Sequence, residues 1–160
     1  MNAVSREILF LTLEIRDCTL EDIPRVLAIE SVSFDDPYPE SLFISFLERF
    51  PSGFRVAESN GTLAGYGVIL QLRDVHTFVI TSLAVHPDFK RAKIATRLLE
   101  DSVSIARKNG AMRIRLQVAV DNIAAQNLYS KFGFVKTHII KNYYRRGLDG
   151  IEMELELELA

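Results

Sequence analysis

A run rich in β-branched and aromatic residues, Thr77 to Val85, is followed by a helical pattern from Arg91 to Asn109 and by a second strand pattern, Ile114 to Val120. No other feature limits the fold as much. Two strands separated by a long helix cannot close as a hairpin; they lie parallel, joined by a right-handed crossover. The crevice beyond the ends of such a pair is where open α/β sheets bind ligands. Ile94, Leu98, Ser102 and Ile105 share the inward face of the helix, and Gly110 stops it.

The flanking segments extend this unit. Phe10 to Arg16 reads as a strand, and a helix follows with Thr19 as its cap and Ile23, Val26, Leu27 and Glu30 at helical spacing. Two prolines make Ser33 to Pro39 a loop, and Glu40 to Phe50 resumes helix. Strands Phe54–Glu58 and Thr62–Leu72 flank Asn60-Gly61, a two-residue hairpin signal. After the crossover come a helix, Asn122 to Phe132, stopped by Gly133, and strands Val135–Ile140 and Ile151–Leu159. The strict alternation of Glu152-Met153-Glu154-Leu155-Glu156 reads as an edge-region strand with one apolar and one acidic face. The order is βααβββαβαββ, a mixed α/β sheet.

Length and composition bound the function. With 160 residues, 48% hydrophobic and 25% charged, the chain reads as one domain, 1–160, able to bury about 70% of the surface it exposes when unfolded. The lone Cys18 has no disulfide partner and no ligand partner at metal spacing, so a reducing, cytoplasmic compartment and no metal are expected. His76, His86 and His138 stand on different elements. A net charge of −2 excludes a wholly basic nucleic-acid binder. The apolar run Ile8 to Leu13 is far short of the roughly 20 residues of a spanning helix. Neither nucleic acid nor membrane is an expected partner.

Lys90, Arg91, Lys93 and Arg97 crowd the start of the long helix, with Asp88 alone to offset them. Cations are unfavourable at a helix N-terminus, so they form either a solvated patch or the surround of a bound anion.

The segment Ser82-Leu83-Ala84-Val85-His86-Pro87-Asp88-Phe89-Lys90-Arg91-Ala92-Lys93-Ile94-Ala95 resembles the acetyl-CoA motif Q/R-x-x-G-x-G/A of GNAT acetyltransferases, which follows a strand ending in a V-x-P turn. A second stretch, Asn122-Ile123-Ala124-Ala125-Gln126-Asn127-Leu128-Tyr129-Ser130-Lys131-Phe132-Gly133-Phe134, resembles the family's N-x-x-A-x-x-L-Y-x-x-x-G-F signature. Lys141-Asn142-Tyr143-Tyr144 is similar to the K-x-Y-Y hairpin of N-terminal (Nα) acetyltransferases, including the RimI-like branch. Phe34-Asp35-Asp36-Pro37-Tyr38 stands where those enzymes carry their other peptide-contacting loop.

The resemblance implies a GNAT-like sheet with helices on both faces and acetyl-CoA in the crevice. It implies that backbone groups of Leu83, Ala84 and Val85 meet the pantetheine arm, and that Arg91, Ala92, Lys93, Ile94, Ala95 and Thr96 hold the pyrophosphate. Asn122 would contact the arm from the other side, and Tyr129 would protonate the leaving thiolate. Phe34, Asp36, Tyr38, Gln117, Tyr143 and Tyr144 would meet a peptide N-terminus.

The chain departs from the family in two places. Lys93 replaces the first loop glycine, a strained choice if that position needs φ > 0. Gln117 and Val79 stand where relatives offer a base, and neither accepts a proton. Asp36 is the spare carboxylate, either as proton acceptor or as a solvated loop residue. A site with a poor base suits α-amines: at pH 7 an amine of pKa near 8 is about 10% neutral, a penalty of roughly 1.4 kcal/mol, whereas a lysine amine faces roughly 4.6 kcal/mol.

The expectation is therefore an acetyl-CoA-dependent Nα-acetyltransferase working by direct attack in a ternary complex. A small-molecule amine acetyltransferase and a non-catalytic CoA-binding module are the alternatives. The alternating last strand would suit pairing between chains, which leaves a homodimer or an auxiliary subunit open.

Overall fold

The computed structural model describes residues 12–90 and 93–158. Seven strands form one sheet in the order β1-β2-β3-β4-β5-β7-β6. They are β1 (Glu14–Asp17), β2 (Phe54–Ser59), β3 (Thr62–Gln71), β4 (Thr77–Val85), β5 (Arg113–Ala119), β6 (Val135–Ile140) and β7 (Gly150–Glu156). The helices are α1 (Ile23–Ser33), α2 (Glu40–Arg49), α3 (Ile94–Lys108) and α4 (Ile123–Phe132). The expected order of elements is present, and β4 has the expected bounds.

Among the described residues only the β4–β5 pair is parallel, as a crossover through α3 demands. Asn60 and Gly61 both take positive φ, 51° and 81°, and turn β2 into β3 as a two-residue hairpin. On one face of the sheet α1 and α2 pack Val26, Ile29, Phe43 and Phe46 against Val56, Tyr66 and Val68. On the other, α3 and α4 pack Leu99, Val103 and Tyr129 against Phe78, Ile80, Leu116 and Met153. Gly65 allows that close approach: a Cβ there would lie 2.8 Å from the Ala84 carbonyl oxygen and 3.1 Å from Leu98.

Three expectations are corrected. The first strand runs Glu14–Asp17 rather than Phe10–Arg16, with Phe10 outside the described residues. The crossover helix begins at Ile94; Arg91 and Ala92 lie outside the described residues. The last strand is not at an edge, because β7 sits between β5 and β6 and hydrogen-bonds both. Its alternation reflects one face against α3 and α4; on the other face Glu152 and Glu154 pair with side chains of neighbouring strands, and Glu156 is exposed. Pairing between chains through β7 is thereby closed off.

The first helix is anchored by charge. Thr19 precedes a single 3-10 turn, Leu20–Asp22, whose Asp22 accepts from the Thr19 N–H at 2.8 Å. The buried Asp22 carboxylate also accepts from Arg16 at 2.7 and 2.9 Å and from Arg25 at 2.6 Å. Hydrogen bonding from Arg16 holds its pKa well below the usual carboxylate range, against the opposing effect of burial.

Asp22→Asn is expected to cost about 2 kcal/mol in chemical denaturation, because it removes the buried charge that Arg16 and Arg25 share and leaves Glu58 as their remaining carboxylate. A depressed carboxyl contributes stability above its unfolded value near 3.9 that is lost as pH falls through the native value. The acid limb of the wild-type stability curve should therefore be steeper than that of the variant. At the other loop, Lys93 holds φ 58°, ψ 25° in the left-handed region. Lys93→Gly should be about 1 kcal/mol more stable than Lys93→Ala in the same measurement, since only glycine takes that conformation without strain.

Candidate active site

The site is built on the separation of β4 from β5. The two strands pair over four positions, from Thr77↔Arg113 to Ile80↔Leu116, although β4 runs on to Val85 and β5 to Ala119. The β3–β4 register slips at the same point: Ile69 faces Ile80 and Val68 faces Ser82, which makes Thr81 an extra, bulged residue. A bulge bends its strand and re-aims the residues beyond it. Past Thr81, the β5-facing edge of β4 over Leu83, Ala84 and Val85 has no strand partner among the described residues, so its backbone groups are presented to the crevice. Leu83, Ala84 and Val85 thus form the stretch of β4 beyond its pairing with β5, and no sequence signal announced the bulge at Thr81 that begins it.

The N-terminus of α3 lies at the end of that edge. Lys93 caps the helix from the left-handed region, the backbone geometry that the departure from glycine put in question, and it is exposed. Ile94 is buried, while Ala95 and Thr96 are half-buried. A helix N-terminus offers unsatisfied N–H groups and a positive dipole end, which suit a phosphate.

The start of α4 forms the opposite wall. Asn122 Oδ1 accepts from the Ala125 N–H at 3.2 Å as the helix cap, which leaves its NH2 as the group able to meet a ligand. No sequence signal singles out Gln126, yet it fastens α4 to the end of β5. Its buried Nε2 donates to the carbonyls of Ala119 and Val120 at 3.1 and 3.0 Å. Tyr129, one turn on, is 8% exposed and packs its ring at 5.8 Å from Phe134. Burial pushes its phenol up to about 12.

The two loops expected to meet a substrate come together. Arg145 Nε, between β6 and β7, bridges to Asp36 Oδ2, between α1 and α2, at 2.9 Å. Tyr38 stacks edge-on against Phe43 and Phe46 at 6.1 and 6.2 Å, and burial followed by the nearby Tyr143 raises its pKa. Tyr143 and Tyr144 lie edge to face at 4.9 Å. Burial raises Tyr144, with smaller effects from Tyr143, Tyr38 and Tyr129, so the four phenols form one neighbourhood. Phe34 is exposed on the same loop as Asp36. The Asp36 carboxylate, the spare acceptor of the sequence reading, is occupied by Arg145.

Behind this neighbourhood lies a buried polar network absent from the sequence reading. Glu30 is 2% exposed and accepts from the Tyr66 hydroxyl, while its other oxygen accepts from the Tyr38 N–H at 3.0 Å. Tyr66 Oη is 2.9 Å from Ser82 Oγ on β4. The network links the loop carrying Tyr38 to the strand carrying Leu83 and Ala84.

Gln117 is the first β5 residue beyond the last paired position, on the face opposite Tyr129. Its Nε2 donates to Glu152 Oε1 across the strands at 3.2 Å. Val79 is half-buried and packs against the α1–α2 side. Cys18 is buried at the foot of α1, which pushes its thiol up to about 12.

The arrangement is an open-ended cleft in a parallel pair, with a helix N-terminus at one end and phenols at the other. It can hold an extended arm carrying a phosphate and place a protonated oxygen beside the arm's far end. Comparison with known proteins agrees. The model for the Acetyltransferase (GNAT) family matches residues 23–134. An N-alpha-acetyltransferase of Sulfurisphaera tokodaii is 30% identical over 154 residues, 89% of this chain and 92% of that one. A ribosomal protein bS18-alanine N-acetyltransferase of Escherichia coli K12 is 30% identical over 123 residues, 77% and 81% of the two chains. Among solved structures, Ard1 of Thermoplasma volcanium superposes with a TM-score of 0.88 at 26% identity, covering 92% of this chain and 99% of that one. With both motifs inside the matched span, this chain belongs to the GNAT family of acetyltransferases.

Proposed function

We propose that the chain transfers the acetyl group of acetyl-CoA to the α-amine of protein or peptide N-termini. The observation that carries this reading is the Asp36–Arg145 bridge, which ties two tyrosine-bearing loops together at the acceptor end of the crevice. A lysine within a chain needs a groove open in both directions, because the backbone continues on either side. An N-terminus needs only a blind one. The names of the relatives, which act on N-termini, point the same way.

In this reading the pantetheine arm adds alongside β4 at Leu83, Ala84 and Val85, as a peptide adds to a sheet edge. The pyrophosphate lies on the amides around Lys93, Ile94, Ala95 and Thr96, and a β4 N–H polarises the thioester carbonyl. The amine nitrogen attacks the carbonyl carbon, the C–S bond breaks, and the electron pair goes to sulfur. Tyr129 donates its proton there. A phenol near 12 is a weak acid for a thiolate near 8.5 in water, but desolvation disfavours both anions and moves the two values up together. Holding the amine against the thioester contributes several kcal/mol more. Free amines too small to reach both loops would gain none of that contribution from Tyr38, Tyr143 and Tyr144.

The direct test is mass-spectrometric acetyl transfer to peptides of varied N-terminus, beside blocked-N-terminus lysine peptides and polyamines. Transfer confined to free α-amines is expected; transfer to polyamines alone would move the chain to the small-molecule branch, and silence would end the reading. Tyr129→Phe should lower kcat by about 100-fold with CoA affinity retained. Since the native phenol stays protonated up to about 12, the wild-type rate should show no alkaline fall up to about pH 10. A fall starting near pH 9 would assign the proton donor elsewhere.

A further inference from the structure

We propose that Glu152, on β7, is the proton acceptor for the incoming amine, acting from across the strand pair at Gln117. The inference rests on the acetyl-transfer reading and adds the group that this reading lacks. Gln117 stands at the crevice mouth and cannot take a proton. In the antiparallel β5–β7 register its partner is Glu152. Directly opposed residues lie about 5 Å apart at Cα, so the two side chains share one site on the open face of the sheet.

The hydrogen bond between them also sets the orientation of the amide. Glu152 can only accept, so Gln117 must turn Nε2 toward it, at 3.2 Å, and its own Oε1 away. Gln117 therefore presents an acceptor oxygen to an ammonium or to a water beside it, with a carboxylate next door. Asp36 lacks this freedom because Arg145 holds it.

The surroundings of Glu152 are specific to it. The β6–β7 register slips between Lys136 and His138, and this bulge brings two successive side chains onto the same carboxylate. Thr137 Oγ1 donates to Oε2 at 3.4 Å, and His138 Nδ1 lies 3.5 Å from that oxygen. Along the open face, the neighbouring Glu154 is occupied by Arg115 at 3.1 Å and Arg113 at 3.8 Å. Among the described residues, Glu152 instead meets a glutamine, a threonine and a histidine, although its side chain is only 17% exposed. Histidine beside it offers an exit for the proton toward solvent.

The step balances. Two N–H protons leave the ammonium: one passes through a water at Gln117 Oε1 to the Glu152 carboxylate and on to solvent. The other leaves as the C–N bond forms and restores the proton that Tyr129 gives to sulfur.

The test is the pH dependence of peptide acetylation at saturating acetyl-CoA for wild type, Glu152→Gln, and the double variant Gln117→Glu with Glu152→Gln. Thermal melting and calorimetric CoA binding serve as controls for the fold. Glu152→Gln is expected to lose about 100-fold in kcat at pH 6.5, with the deficit shrinking to a few-fold by pH 9.5, where the amine is already neutral. The double variant should recover most of the loss at low pH. A Glu152→Gln enzyme within threefold of wild type at every pH overturns the proposal. So does a loss that is uniform across pH and unrescued, which would mark Glu152 as merely structural. If wild type itself transfers no acetyl group to any peptide, it is the acetyl-transfer reading that fails, and this inference with it.

Discussion

The chemistry of this chain depends on a strand pair that stops pairing. Parallel strands joined by a crossover helix usually stay in register, and every backbone group within a sheet needs a partner. Here β4 and β5 hydrogen-bond over their first residues only. From Thr81 onward, the β4 edge faces a space that a ligand backbone can fill as a missing strand would. Leaving that edge unpaired costs hydrogen bonds that the rest of the fold must make up. The seven-stranded sheet and the helices on both its faces supply the rigidity that keeps the gap from collapsing.

Several contacts hold the gap open from both sides. Gln126 fixes α4 to the end of β5, so that wall moves as one unit with Tyr129. On the β4 side, Ser82, Tyr66 and Glu30 connect the bulged strand to α1 and to the Tyr38 backbone. Burying Glu30 without these partners would be expensive. Satisfied as it is, the network couples the position of the acceptor loop to the strand that would carry the thioester. Cofactor groove and acceptor loop are therefore not independent parts.

Much of this fold is legible in the sequence because local signals and global topology agree. The β-rich run, the helical spacing and Gly110 define the crossover, and Asn60-Gly61 defines the hairpin, since backbone conformation there is set by the residues themselves. Lys93 is a sharper case: a lysine at a family glycine position raises the question of a left-handed residue, which the sequence leaves open, and φ is 58°. The hidden features depend on partners distant in sequence. A bulge at Thr81 arises from two registers that disagree, and the Asp36–Arg145 bridge from two loops meeting, neither of which a single segment encodes. The last strand misleads for the same reason. Period-two alternation reports one buried face, and it is identical whether the strand lies at an edge or between two others.

The true position of β7 bears on the proton. As an edge strand, β7 would turn its glutamates to water, where an extra carboxylate is unremarkable. As an interior strand, it gives Glu152 and Glu154 a cross-strand neighbour on both sides, and those neighbours decide their use. Glu154 faces Arg115 and is neutralised by it; Glu152 faces Gln117, which donates one hydrogen bond and leaves the negative charge in place. A glutamine at the crevice mouth, taken alone, suggests that acid–base chemistry has been lost. Paired with Glu152, it divides the task between two strands, one side chain contacting the amine and the other holding the charge. The pairing of β5 with β7, rather than the identity of residue 117, then determines whether the site can accept a proton.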